Sequence, residues 1–151
     1  MVLSKIGMAD QSIKVEGRFD QIAVISELVE RYAIEAGFEE RERYAIQLAV
    51  CEALENTIIH GYQGESPNLI EARVDADPGE VRIEILDEAP PFNPAYSPEE
   101  IDWTEDDPPV GGLGLMIIHK VMDEISYTRK DKRNWLTMLK RMKPPVMQTD
   151  E

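Results

Sequence analysis

The tripeptide Asp77-Pro78-Gly79 lies between two runs, Leu69–Ala76 and Val81–Leu86, in which apolar and polar residues alternate. No other stretch limits the fold as much. A period of two is the pattern of a half-buried strand, and Pro followed by Gly favours a tight turn, so the segment predicts an antiparallel β-hairpin. Val81, Ile83 and Ile85 fall on one face of its second strand, Arg82 and Glu84 on the other.

Helical spacing brackets this hairpin. Ile22, Ile25, Val29, Tyr32, Ala33 and Ala36 recur at helical intervals from Asp20 onward, and Gly37 follows as a C-terminal cap. A second helix is predicted from about Glu39 to Tyr62, ending near Gly61 and Gly64. Ser12–Glu16 alternates as a short strand, Leu115–Met122 reads as a third helix, and Ile125–Arg129 and Asn134–Lys140 read as strands around Lys130-Asp131-Lys132-Arg133. Strands and helices are intermixed and the strand pairs are joined by tight turns. This predicts an α+β fold, a two-layer α/β sandwich whose mixed, mostly antiparallel sheet carries its helices on one face. One domain over residues 12–143 is expected, with tails at 1–11 and 144–151.

Composition excludes several function classes. The net charge of −14 over 151 residues argues against a nucleic-acid or anionic-membrane surface, which needs clustered Lys and Arg, and leaves open a partner with a basic face. The single Cys51 rules out an internal disulfide and a cysteine-rich metal site. No run approaches the ~18 apolar residues of a membrane span, and no signal peptide is read, so a soluble cytoplasmic domain is expected.

Three short signals carry the chemistry, in order along the chain. Glu52 and Asn56 stand four residues apart in AVCEALENTIIHGY, on a helix whose Ile46, Val50, Ala53, Leu54 and Thr57 share an apolar face. The pair falls at the edge of that face, a position that suits the wall of a cleft. There a carboxylate can act as a general base, and an amide oxygen can contact Mg²⁺, which takes only one or two protein oxygens when phosphates and water supply the rest. An ordinary exposed helix face has the same spacing. Asp87 ends the hairpin's second strand and opens DEAPPFNP, where its carboxylate could accept from an exocyclic amine such as adenine's or simply start a turn. Gly112 and Gly114 open GGLGLMIIH, where glycines allow close backbone approach and the following helix N-terminus favours phosphate. His60 and His119 are both read as structural by default, and His60, one turn beyond Asn56, is the better candidate to line the same cleft.

Taken together, these segments resemble the Bergerat-fold (GHKL) ATPases, most closely the anti-sigma-factor serine/threonine-protein kinases of the RsbW and SpoIIAB type. AVCEALENTIIHGY is similar to that family's N box, DEAPPFNP to its first glycine box, and GGLGLMIIHKVMDEISY with NWLTMLKR to its second glycine box and closing strands. The resemblance implies a histidine-kinase-like ATPase fold with Glu52 as catalytic base and Asn56 as the Mg²⁺ ligand. It further implies Asp87 and Ala89 on the adenine side, and Gly112, Leu113, Gly114 and Leu115 as the phosphate-side turn. The implied activity is transfer of phosphate from ATP to a serine of an anti-anti-sigma (STAS-type) antagonist in a partner-switching circuit. A sigma factor is the second partner, and a homodimer is left open.

Two departures from the family pattern stand out. Ala89 holds the place of a glycine, so its methyl group would crowd the adenine unless the backbone angle there is negative. No Lys or Arg occurs from Ile83 to His119, while Glu99, Glu100, Asp102, Glu105, Asp106 and Asp107 crowd the expected lid. Both departures suit an alternative reading: an ATP-binding regulatory module that sequesters its partner without catalysis.

Overall fold

The computed structural model describes residues 11–91 and 112–143. Five strands form one sheet: β1 (Gln11–Gly17), β2 (Ser66–Asp77), β3 (Glu80–Asp87), β4 (Glu124–Lys130) and β5 (Arg133–Arg141), in the order β1-β2-β3-β5-β4. Every described pairing is antiparallel, in a sheet that the sequence had left partly open to parallel strands. The hairpin forms as expected, with Ala76 opposite Val81 and Gly79 at φ +79 in its turn. β1 takes in Gln11 and Gly17 on either side of the expected strand Ser12–Glu16.

Among the described residues three helices cover one face: α1 (Ile22–Ala36), α2 (Glu40–Asn56) and α3 (Gly112–Val121), with a short 3₁₀ turn at Phe19–Gln21 leading into the first. α1 stops where expected. Gly37 takes φ +98, and bonds from Gly37 N to Ile34 O and from Phe38 N to Ala33 O close the last turn. α2 starts on a capping box between Glu39 and Glu42, an N-terminal device absent from the periodicity argument. α2 packs on both neighbouring helices. Ile25, Val29, Tyr32, Ile46, Val50, Leu54 and Ile118 meet Ile70, Val74, Ile83, Ile85, Leu136 and Met138 in the core, all nearly inaccessible.

α2 does not run unbroken to Tyr62. After Asn56 the chain widens into a π-turn over Thr57–Gly61. On the outer face of the sheet, Glu71 is held between Arg73 and Arg133, Arg73 lies 5.0 Å over the Trp135 ring, and the indole N–H bonds Glu84. No helix among the described residues is long and apolar enough to cross a membrane.

Candidate functional site

The site is assembled where the end of α2, the end of β3 and the start of α3 come together. Ile46, Val50, Ala53, Leu54 and Thr57 are all buried, so the apolar face of α2 is the one its spacing indicated. That rotation leaves Glu52 half-buried at the edge of the helix, while Asn56, one turn on, is only 6% exposed and sits deeper than its partner. Burial, and then the neighbouring Glu55, push the Glu52 carboxyl above the ordinary glutamate range. A raised carboxylate is a stronger proton acceptor, as a general base requires.

α3 brings the glycine signal to this carboxylate. The helix begins at Gly112, three residues before the expected Leu115, so the glycines form its first turn and do not precede it. A Cβ built on Gly114 would fall 2.6 Å from Glu52 Oε1, closer than real Cβ atoms come to any neighbour. Glycine therefore lets α3 close on Glu52 with its carboxylate in this position, and a larger residue would have to push the carboxylate aside. The first-turn N–H groups of a helix have no intrahelical acceptors and carry the positive end of its dipole, which favours a phosphate beside the base. Leu115 is buried beneath this turn, and the side chain of Leu113 lies outside the described set.

Asp87 is the last residue of β3 and lies on the core side of the sheet, 4% exposed. Its Oδ1 accepts from the Ala89 amide at 2.9 Å and from Asn134 Nδ2 at 2.8 Å, which leaves Oδ2 without a donor among the described residues. Burial raises the Asp87 carboxyl from its ordinary range, against the opposing pull of Asn134, the Ala89 amide and Arg129. Ala89 is buried with a negative φ, so its methyl group sits in ordinary backbone and the glycine place needs no glycine here. Its carbonyl is held by Arg129 at 3.0 Å and Asn134 at 3.1 Å.

Asn134 and Arg129 were not among the residues singled out by sequence. Asn134 pairs directly with Asp87 across β3 and β5, donates to Asp87, Ala89 and Pro90, and accepts from Tyr127 at 2.6 Å and Arg129 at 2.9 Å. A signal was available: Asn134 shares its parity with inward-facing Leu136 and Met138, and a polar residue in that row needs a polar partner.

His60 lies on the π-turn, half-buried, with its pKa lowered by burial, and nothing described ties it to Glu52 or Asp87. The donor set at Asn56 is one amide oxygen with a carboxylate a turn away. That fits a Mg²⁺ ion taking most of its ligands from nucleotide phosphates and water, and does not fit a self-sufficient protein cage. The expected acidic lid, Ser97–Val110, lies outside the described residues.

Comparison with known proteins agrees with this fold. The chain is 30% identical over 118 residues to the serine/threonine-protein kinase BtrW of Bordetella bronchiseptica, covering 77% of this chain and 82% of that protein. It is 31% identical over 98 residues to the anti-sigma F factor of Clostridium botulinum strain Alaska E43, covering 64% of this chain and 68% of that one. The crystal structure of the RsbU and RsbW domains of Rv1364c from Mycobacterium tuberculosis superposes with a TM-score of 0.56 at 15% identity, over 93% of this chain and 35% of that longer one, a likeness of fold. The family described as the histidine kinase-like ATPase domain matches residues 15–140, from β1 to the end of the last strand, and the chain belongs to it.

Proposed function

We propose that the protein is an ATP-dependent serine/threonine-protein kinase that works in the cytoplasm as an anti-sigma factor, phosphorylating a serine of a STAS-type antagonist in a partner-switching circuit. The observation that carries this reading is the contact between Glu52 and Gly114, which sets a carboxylate of raised pKa against a helix N-terminus. The names of the two relatives, a serine/threonine kinase and an anti-sigma factor, support the same activity.

In this reading Asp87 accepts the exocyclic amine of adenine, the first turn of α3 receives the phosphates, and the Asn56 oxygen would hold Mg²⁺, whose charge offsets that of the phosphates. Glu52 takes the proton from the acceptor serine hydroxyl. The serine oxygen bonds to the γ-phosphorus as the bond to the β–γ bridging oxygen breaks, and ADP leaves. Phosphoryl transfer needs chiefly positioning and charge stabilisation, so a single base with an anion-binding turn is sufficient machinery. The negative φ of buried Ala89 supports the catalytic reading over a non-catalytic module, since the backbone there does not call for glycine.

Incubation with radiolabelled ATP, Mg²⁺ and a STAS-type antagonist is the test. Label should move to a serine of the antagonist with the wild type and stay in ATP with Glu52→Gln. Calorimetry that detects no nucleotide binding at millimolar Mg²⁺ would overturn the reading entirely.

A further inference from the structure

Tyr62 closes the motif that carries Glu52 and Asn56, and the chemistry above makes no use of it. Eighteen residues separate it from Tyr44, which is five turns of an α-helix, so an unbroken α2 would aim it outward beside that exposed side chain. The π-turn prevents this. Tyr62 N bonds Thr57 O at 2.8 Å, five residues back, and the extra residue in the turn sets Tyr62 back by about one residue's rotation, ~100°. The ring thereby swings off the solvent side and packs against the core beside Gly17, whose added Cβ would stand 3.2 Å from Tyr62 Cδ2.

There its hydroxyl does a specific job. The β2–β3 ladder ends at the pair Ile70–Asp87, and the next rung would join Leu69 to Glu88. In place of that rung, Glu88 N donates to the Tyr62 hydroxyl at 2.9 Å and the hydroxyl donates to Leu69 O at 2.7 Å. The phenol is thus inserted between the strands one residue beyond Asp87. It lets the chain turn away at Glu88 while keeping the amide there bonded, and it ties that turn to the C-terminal end of α2.

We infer that Tyr62 is the positioning residue for purine recognition: through the Glu88 amide it fixes the Asp87 turn against the helix that carries Glu52 and Asn56, and so sets selectivity for a base with an exocyclic amine. The inference rests on the nucleotide reading above. Burial, against the opposing pull of the Glu88 amide and with the Asp87 and Glu88 carboxylates nearby, raises the phenol pKa, which keeps the proton on the oxygen that must donate to Leu69.

The test compares ATP with inosine triphosphate, which carries an oxygen in place of the amine, by calorimetry with Mg²⁺. Wild type should bind ATP more tightly. Tyr62→Phe retains the ring beside Gly17 and removes only the hydroxyl, so it should lower the ATP-to-inosine preference by about 3–10-fold, the range of one net hydrogen bond. The maximal transfer rate at saturating ATP should hold while KM for ATP rises. Gly17→Ala, whose methyl group crowds the ring and the Asn68 carbonyl without deleting the hydroxyl, should move the same ratio in the same direction and covers the case in which Tyr62→Phe folds poorly. If both nucleotides weaken equally in the variants, or neither does, Tyr62 is a packing residue and the inference fails while the kinase reading stands. If the wild type binds neither nucleotide, both fall.

Discussion

Gly114 backs directly onto Glu52: a Cβ on the glycine would lie 2.6 Å from Oε1 and 3.6 Å from the glutamate's own Cβ. The nearest atom is the end of a flexible side chain, so Gly114→Ala is expected to fold, with the carboxylate pushed aside. Displacement of a reacting group by ~1 Å can cost on the order of 10²-fold in rate. Initial rates should therefore fall steeply while thermal melting changes by only a few degrees. An unchanged rate would mean that Glu52 is not at the reacting hydroxyl.

Glu52→Gln is expected to abolish phosphoryl transfer and leave nucleotide affinity nearly intact, because a base acts on the attacking hydroxyl and not on the bound ground state. Calorimetry beside a transfer assay separates the two. Equal loss of binding and rate would instead make Glu52 part of the nucleotide site.

The acid limb of the pH–rate profile gives an independent check. Glu52 must be ionised to accept a proton, and burial and Glu55 both raise its pKa, so activity should be lost on acidification at a higher pH than for an ordinary glutamate. Glu55→Gln removes one of the two causes and should move that limb to lower pH. A limb that stays in place belongs to another group.

Asp87→Asn is expected to weaken ATP binding by about 1.5–3 kcal/mol, because an amide can turn its NH₂ towards the adenine amine. Stability should go the other way. The folded-state pKa of Asp87 is raised, so the native state binds the proton more tightly, and stability falls as pH rises through the folded pKa. Relative to wild type, the variant should therefore melt no lower at neutral pH, with the difference closing as the solution is acidified through that pKa. A variant that melts lower at neutral pH while binding ATP normally would make Asp87 structural.

Asn134→Ala deletes one of the two donors to buried Asp87 Oδ1, which keeps the Ala89 amide, and removes the acceptor for Tyr127 and one of those for Arg129. Urea unfolding should show a loss of about 1–3 kcal/mol, accompanied by weaker ATP binding. Lost stability with unchanged ATP affinity would confine Asn134 to holding the sheet.

Much of this fold was legible in the sequence because it is built from local rules. The turn at Asp77-Pro78-Gly79, the alternation of Val81, Ile83 and Ile85, the Gly37 cap and the buried face of α2 each depend on residues within a few positions of one another, and each formed as expected. Glu52, Asn56, Asp87 and Gly114 could be singled out for the same reason, as residue types at fixed offsets within short motifs. Their relation to one another could not. The approach of Gly114 to Glu52 depends on how α3 packs against α2, and the support of Asp87 by Asn134 depends on β5 pairing with β3 in one register. The π-turn that swings Tyr62 inward gives up regular helical bonding, so helical periodicity does not foretell it. Local pattern sets which way a side chain faces, because neighbouring residues share one backbone geometry. Distant groups meet only where core packing and strand register bring separate elements together, and that is a property of the whole folded chain.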